Sequence, residues 1–146
     1  MLRGRHTATV DVKGRLKIPA GFKSLLEEKY GPDFYITSLD GRCARIYPFP
    51  EWRKIEDKLA ALPSMNSSKR KFLDRANYWG QTARMDGQAR VLIPSQLRES
   101  AELRGEVAVI GYLDRLDVWS VARFEEYLEQ TQLTEDDQKT LSDLGI

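Results

Sequence analysis

One pattern of apolar and polar positions runs through the chain twice. Residues 7–10 and 82–85 are short runs rich in β-branched and apolar side chains, as strands require. Each enters a turn signalled by Asp and Gly: Asp11 with Gly14, and Asp86 with Gly87. Residues 16–18 and 91–93 predict returning strands. Pro19 and Pro94 then end each strand and open a helix from its first position. In the first helix Phe22, Leu25, Leu26 and Tyr30 recur at helical spacing and are expected inside, with Gly31 and Pro32 as the stop. The counterpart runs from about Ser95 to Arg104, with Leu97, Ala101 and Leu103 inward and Gly105 as the stop. Strands follow at 34–39 and 107–112, then turns at Asp40-Gly41 and Leu113-Asp114-Arg115, then strands at 44–47 and 116–119. A second helix closes each pass. Trp52, Ile55, Leu59 and Leu62 line it in the first, Phe124, Tyr127 and Leu128 in the second.

The repetition is literal as well as periodic. At a shift of 75 positions, residues 7–20 and 82–95 share six of fourteen identities: Thr7/Thr82, Ala8/Ala83, Asp11/Asp86, Arg15/Arg90, Ile18/Ile93 and Pro19/Pro94. Further on the shift is 72, pairing Tyr47 with Trp119 and Trp52 with Phe124. A period this long indicates a duplicated half-domain rather than a solenoid. The expected organisation is a first repeat over 1–63, a linker and connecting helix over 64–78, a second repeat over 79–131, and an acidic, partly frayed tail over 132–146. In the connecting helix Phe72, Ala76 and Trp79 face inward, with Lys69, Arg70, Lys71 and Arg75 around it. Each repeat alone is of marginal size for a core, so burial shared between repeats or between subunits is expected.

Net charge is only +1, but its distribution is uneven. Residues 1–30 carry seven basic side chains against three acidic, and residues 69–90 carry six against two. Residues 124–146 carry seven acids and one lysine. The basic stretches cover the two motif copies, which fits a polyanion footprint or, equally, surface ion pairs. Catalytic chemistry finds little support. His6 is the only histidine and Cys43 the only cysteine, so neither a catalytic dyad nor a metal cluster of known spacing can be built. There is no Gly-rich phosphate loop and no nucleophile elbow. No cofactor, metal or small-molecule substrate is expected. No apolar run approaches the roughly 18 residues of a membrane span, and one cysteine fits a reducing cytosol.

The repeated Asp-x-x-x-Arg turn is the constellation to explain. Asp11 and Asp86 can cap their turns through backbone N–H groups, and Gly14 permits a tight loop. Arg15 and Arg90 then project as planar forks suited to phosphate or to the guanine edge. Lys13 and Lys17 suit phosphates, and Arg3 adds local charge. The alternative is that the Asp–Arg pairs are ion pairs locking two hairpins. The two readings are compatible, since an aspartate can orient an arginine that also binds.

The chain resembles the MraZ transcriptional regulators of the bacterial division and cell-wall gene cluster. The resemblance rests on Leu2-Arg3-Gly4, on the run from Asp11 through Gly14-Arg15 to Ile18-Pro19, on Ile46-Tyr47-Pro48-Phe49-Pro50-Glu51-Trp52, on Pro63-Ser64-Met65-Asn66, and on the run from Met85-Asp86 through Arg90 to Ile93-Pro94. It implies an α+β fold of two tandem AbrB/SpoVT-like swapped-hairpin half-domains forming a pseudo-two-fold β-barrel unit with short helices. It also implies a cytoplasmic, nucleoid-associated repressor of its own operon, binding tandem short repeats in double-stranded promoter DNA as a ring of identical subunits. Arg15 and Arg90 would face DNA, supported by Asp11 and Asp86. The family pattern has Gly before the motif arginine, whereas the second copy has Ala89; if that position needs positive φ, the second loop should be the looser one. A protein-binding module of the antitoxin type and an architectural ring without sequence choice are the competing readings.

Overall fold

The computed structural model describes residues 1–146. The fold is α+β: eight antiparallel strands form a nearly closed barrel, and six short helices surround it. The strands are β1 (Arg5–Val10), β2 (Arg15–Lys17), β3 (Asp33–Thr37), β4 (Ala44–Pro48), β5 (Gln81–Arg84), β6 (Arg90–Leu92), β7 (Gly105–Tyr112) and β8 (Arg115–Ser120). The helices are α1 (Ala20–Lys29), α2 (Phe49–Ala60), α3 (Ser67–Tyr78), α4 (Ser95–Ala101), α5 (Val121–Gln130) and α6 (Glu135–Asp143). None is long and apolar enough to cross a membrane.

The strand order β5-β3-β4-β8-β7-β1-β2-β6 interleaves the repeats. β1 of the first repeat pairs with β7 of the second, and β5 of the second pairs with β3 of the first. Each repeat thus lends its leading hairpin to the other, which is the swapped-hairpin arrangement. The pseudo-two-fold axis passes through two pairings. In β2·β6, Leu16 faces Val91; in β4·β8, Arg45 faces Asp117. Those residue pairs differ by 75 and 72, the two shifts of the sequence repeat.

A single main core fills the barrel, with Leu16, Ile18, Phe22, Leu26, Phe34 and Ile36 from one repeat meeting Val91, Ile93, Leu97, Val107, Val109 and Leu116 from the other. A second cluster sits outside the sheet, where Trp52 packs among Tyr35, Tyr47, Phe72 and Ala76 beneath α3. Asn66 caps α3 by accepting the Lys69 N–H at 2.9 Å, so the connecting segment is a real helix rather than a tether.

Several sequence expectations change. Leu25 is 45% exposed and Leu62 41% exposed, because α1 and the end of α2 contact the barrel over a narrower stripe than the periodicity suggested. Pro19 and Pro94 are the N-caps themselves, with ψ of 140° and 135°, one position earlier than expected. The stop for α4 is Glu102 in the left-handed region at φ 55°, not Gly105. Within the tail, Glu135–Asp143 form α6, with a reciprocal capping box between Thr134 and Asp137 at its start.

Candidate nucleic-acid interface

The two Asp–Arg turns are built from the same set of hydrogen bonds. In the first, Asp11 N–H donates to the Arg15 carbonyl at 2.9 Å and Gly14 N–H returns to the Asp11 carbonyl at 2.9 Å. Asp11 Oδ1 accepts the backbone N–H groups of Lys13 (3.0 Å) and Arg15 (2.9 Å), and Oδ2 accepts Arg15 Nε–H at 2.8 Å. In the second, Asp86 N–H donates to the Arg90 carbonyl at 2.9 Å and Ala89 N–H to the Asp86 carbonyl at 3.0 Å. Asp86 Oδ1 accepts from the Gln88 and Arg90 backbones at 2.9 Å each, and Oδ2 from Arg90 Nε at 2.9 Å. The Arg15 backbone N–H is the main reason the Asp11 carboxyl is held below its ordinary value, and the Arg90 backbone N–H does the same for Asp86. Both aspartates are therefore anions at neutral pH, not proton-transfer groups.

Ala89 does not loosen its loop. It takes the left-handed conformation that the turn demands, φ 60° against 86° for Gly14, and the hydrogen bonds agree to within 0.1 Å. Its methyl group is buried in the main core, and that contact offsets part of the backbone strain.

The turns feed β2 and β6, whose register sets what they share. Arg15 faces Leu92, Leu16 faces Val91, and Lys17 faces Arg90. With a side-chain period of two, Leu16 and Val91 point into the core while Arg15, Lys17, Arg90 and Leu92 lie together on the outer face. Arg15 and Arg90 are diagonal neighbours, about 7 Å apart at Cα. Each gives only its Nε–H to its aspartate; neither terminal amino group of Arg15 or Arg90 has a partner within the chain. The face is a two-stranded ribbon carrying two oriented arginine forks with their outer donors open.

Comparison with known proteins agrees with the duplication. A family model described as "MraZ protein, putative antitoxin-like" matches residues 1–75 and again residues 80–144, one match per repeat. The chain belongs to the MraZ family. It is similar to proteins named transcriptional regulator MraZ from Acidobacterium capsulatum, 49% identical over 146 residues and covering all of both chains. Those from Koribacter versatilis, 51% identical over 147 residues, and Pediococcus pentosaceus, 37% over 148, are also matched over the whole of both chains.

Among the residues singled out from the sequence, Arg15, Lys17 and Arg90 share one face, and Lys13 sits exposed at the tip of the first turn beside Val12, which is 99% exposed. Arg3 is not brought to them. It precedes β1, whose far end enters the Asp11 turn, so the length of that strand, roughly 20 Å, separates them. Sequence reasoning missed Arg98. Its guanidinium lies directly against the Cα of Gly14, in the space a Cβ would need, and its Nε donates to the Ile93 carbonyl at 2.9 Å. In the repeat alignment Arg98 corresponds to Lys23, which instead approaches Glu27 at 3.9 Å. That difference between the copies was the available signal. No group of three or more His, Cys, Asp or Glu side chains is placed to hold a metal ion.

Proposed function

We propose that this chain regulates transcription by sequence-specific binding of double-stranded promoter DNA through the β2·β6 face. The observation that carries the reading is the pair of matched turns whose aspartates fix Arg15 and Arg90 while leaving their terminal amino groups open. A two-stranded ribbon fits the major groove, and a terminal guanidinium pair is suited to the O6/N7 edge of guanine. Lys13 and Lys17 flank the arginines as phosphate contacts. An arginine separation of about 7 Å corresponds to two base-pair steps. One chain then reads a very short box, and a ring of identical chains on tandem boxes gains affinity by avidity. The natural target is the promoter of the chain's own division and cell-wall gene cluster, with repression as the outcome, in a cytoplasmic, nucleoid-associated protein.

The test is a binding titration against the DNA upstream of the chain's own gene beside a scrambled duplex, at two salt concentrations. Preference for the upstream DNA that survives the higher salt is expected. Equal, salt-sensitive binding to both duplexes would instead make the assembly architectural, and the Asp–Arg turns hairpin locks.

A further inference from the structure

The pseudo-two-fold axis exposes one inequality between the repeats. On the first repeat, the outer side of β3, β4 and α2 is roofed by α3. Tyr35 stacks on Trp52 at 4.5 Å, and Phe72 of α3 lies over Trp52 at 6.3 Å. Tyr35 Oη (3.0 Å) and Thr37 Oγ1 (2.7 Å) both donate to the Ala76 carbonyl, and Ala76 is fully buried. On the second repeat, β7, β8 and α5 form the equivalent surface, with Ala108 at the place of Tyr35, Ile110 at that of Thr37, Trp119 at that of Tyr47 and Phe124 at that of Trp52. No helix roofs it. Trp119 stacks on Tyr127 at 4.9 Å, and an open cavity of about 340 Å³ remains, lined by Cys43, Ile110, Trp119, Phe124, Tyr127 and Leu128. Leu128 is 51% exposed.

The same chain carries a helix, α6, that buries none of its residues. Leu141 and Leu144 lie on one side of it at i, i+3 spacing, with Leu133 and Ile146 exposed at its ends. A nine-residue helix is not stable alone in water. Its place in the chain matches that of α3, since each follows the closing helix of its repeat. The charges are complementary. α6 holds Glu135, Asp136, Asp137 and Asp143 against Lys139. The groove holds Arg42, Arg45 and Arg115 against Asp40 and Asp117, with Arg123 and Glu126 on its rim. The chain does not close this contact on itself. Residues 61–66 join α2 to α3, but only residues 131–134 join α5 to α6, two fewer than the roofed repeat uses.

We infer that the α6 helix of a second copy of this chain docks in the groove over β7, β8 and α5, taking the position that α3 holds on the first repeat. The donor helix and the acceptor groove are different surfaces, so the contact is head-to-tail and leads to a ring if it closes. The inference rests on the self-assembly part of the proposed function and names the surface that carries it.

The experiment compares the full chain with the double variant Leu141→Asp, Leu144→Asp by sedimentation velocity and by hydrogen exchange of the α6 amides over a dilution series. Because α6 buries no residue within its own chain, the variant should keep the thermal unfolding midpoint that the parent shows at concentrations where it is dissociated. The full chain should associate, with α6 exchange slowed about tenfold or more only at concentrations where it is associated. The variant should lose both association and protection. Protection of α6 that is independent of concentration would show docking within one chain and overturn the inference. Association of the variant equal to the parent's would place the interface elsewhere and overturn it while leaving the ring intact. A full chain that stays monomeric with unprotected α6 would overturn both.

Discussion

The substitution Gly14→Ala isolates what the first Asp–Arg turn demands of its backbone. Gly14 has φ 86°, where an L side chain costs about 1–2 kcal/mol. Its Cβ would also enter the space of the Arg98 guanidinium. That guanidinium ends a flexible side chain, so it can swing away, at the cost of its 2.9 Å hydrogen bond to the Ile93 carbonyl. A charged hydrogen bond of this kind is worth about 1.5–3 kcal/mol when buried and less at a half-exposed site, so about 1 kcal/mol is assigned here. The expected loss is about 2–3 kcal/mol. The converse change, Ala89→Gly, relieves strain at φ 60° but removes a buried methyl worth about 0.8 kcal/mol, so it should be neutral to within about 0.5 kcal/mol. Urea unfolding of the two variants, together with Arg98→Ala and the double variant Gly14→Ala, Arg98→Ala, forms a cycle. The Arg98 contribution should disappear from the cost of Gly14→Ala once Arg98 is gone. If Gly14→Ala costs less than about 0.5 kcal/mol, or if its cost is unchanged without Arg98, then neither the left-handed turn nor the guanidinium contact constrains this loop in the way derived.

Other consequences can be checked separately. Arg15→Ala and Arg90→Ala should each cost about 1–3 kcal/mol in preference for the specific duplex over a scrambled one, measured by titration with folding verified by circular dichroism; unchanged preference in a folded variant would remove that arginine from the interface. Asp11 and Asp86 have folded pKa values lowered from 3.8, so their contribution to stability is complete above that value and is lost as pH falls through the lower, folded values. Thermal melts of the parent should therefore drop more steeply below about pH 4 than those of the Asp11→Asn, Asp86→Asn double variant, which should be flatter with pH there. Trp52→Ala should cost about 3–5 kcal/mol, because the indole is 3% exposed and holds α3 onto the sheet, whereas Leu25→Ala should cost less than about 1 kcal/mol.

Much of the site was legible before the fold. Asp11, Gly14 and Arg15 announce their turn by residue type and spacing, because an Asx cap, a positive φ and a planar fork are local properties of the backbone. The position of Ala89 was read in the opposite sense: its loop is as tight as the first, since a buried methyl offsets strain that the sequence shows only as a missing glycine. Arg98 was marked in the sequence only by its difference from Lys23; its contact with Gly14 spans 84 positions, a distance that only packing closes. Arg3 looked like part of the basic stretch, yet β1 carries it to the far end of the barrel.

The sequence by itself determined the number and kind of elements up to the acidic tail, the duplication, the two turns and their fixed arginines. Each depends on interactions within a few residues, where periodicity, proline and glycine decide the outcome. The exchange of hairpins was expected only through the family resemblance, and the tertiary structure alone decided that β2 and β6 pair at the axis and that Arg15, Lys17 and Arg90 emerge on one face. It also decided that α3 roofs one repeat while the matching surface of the other stays open. Those outcomes follow from strand register and shared burial, which couple residues some 75 positions apart. No local pattern specifies which partner a strand will choose when both repeats offer the same apolar face.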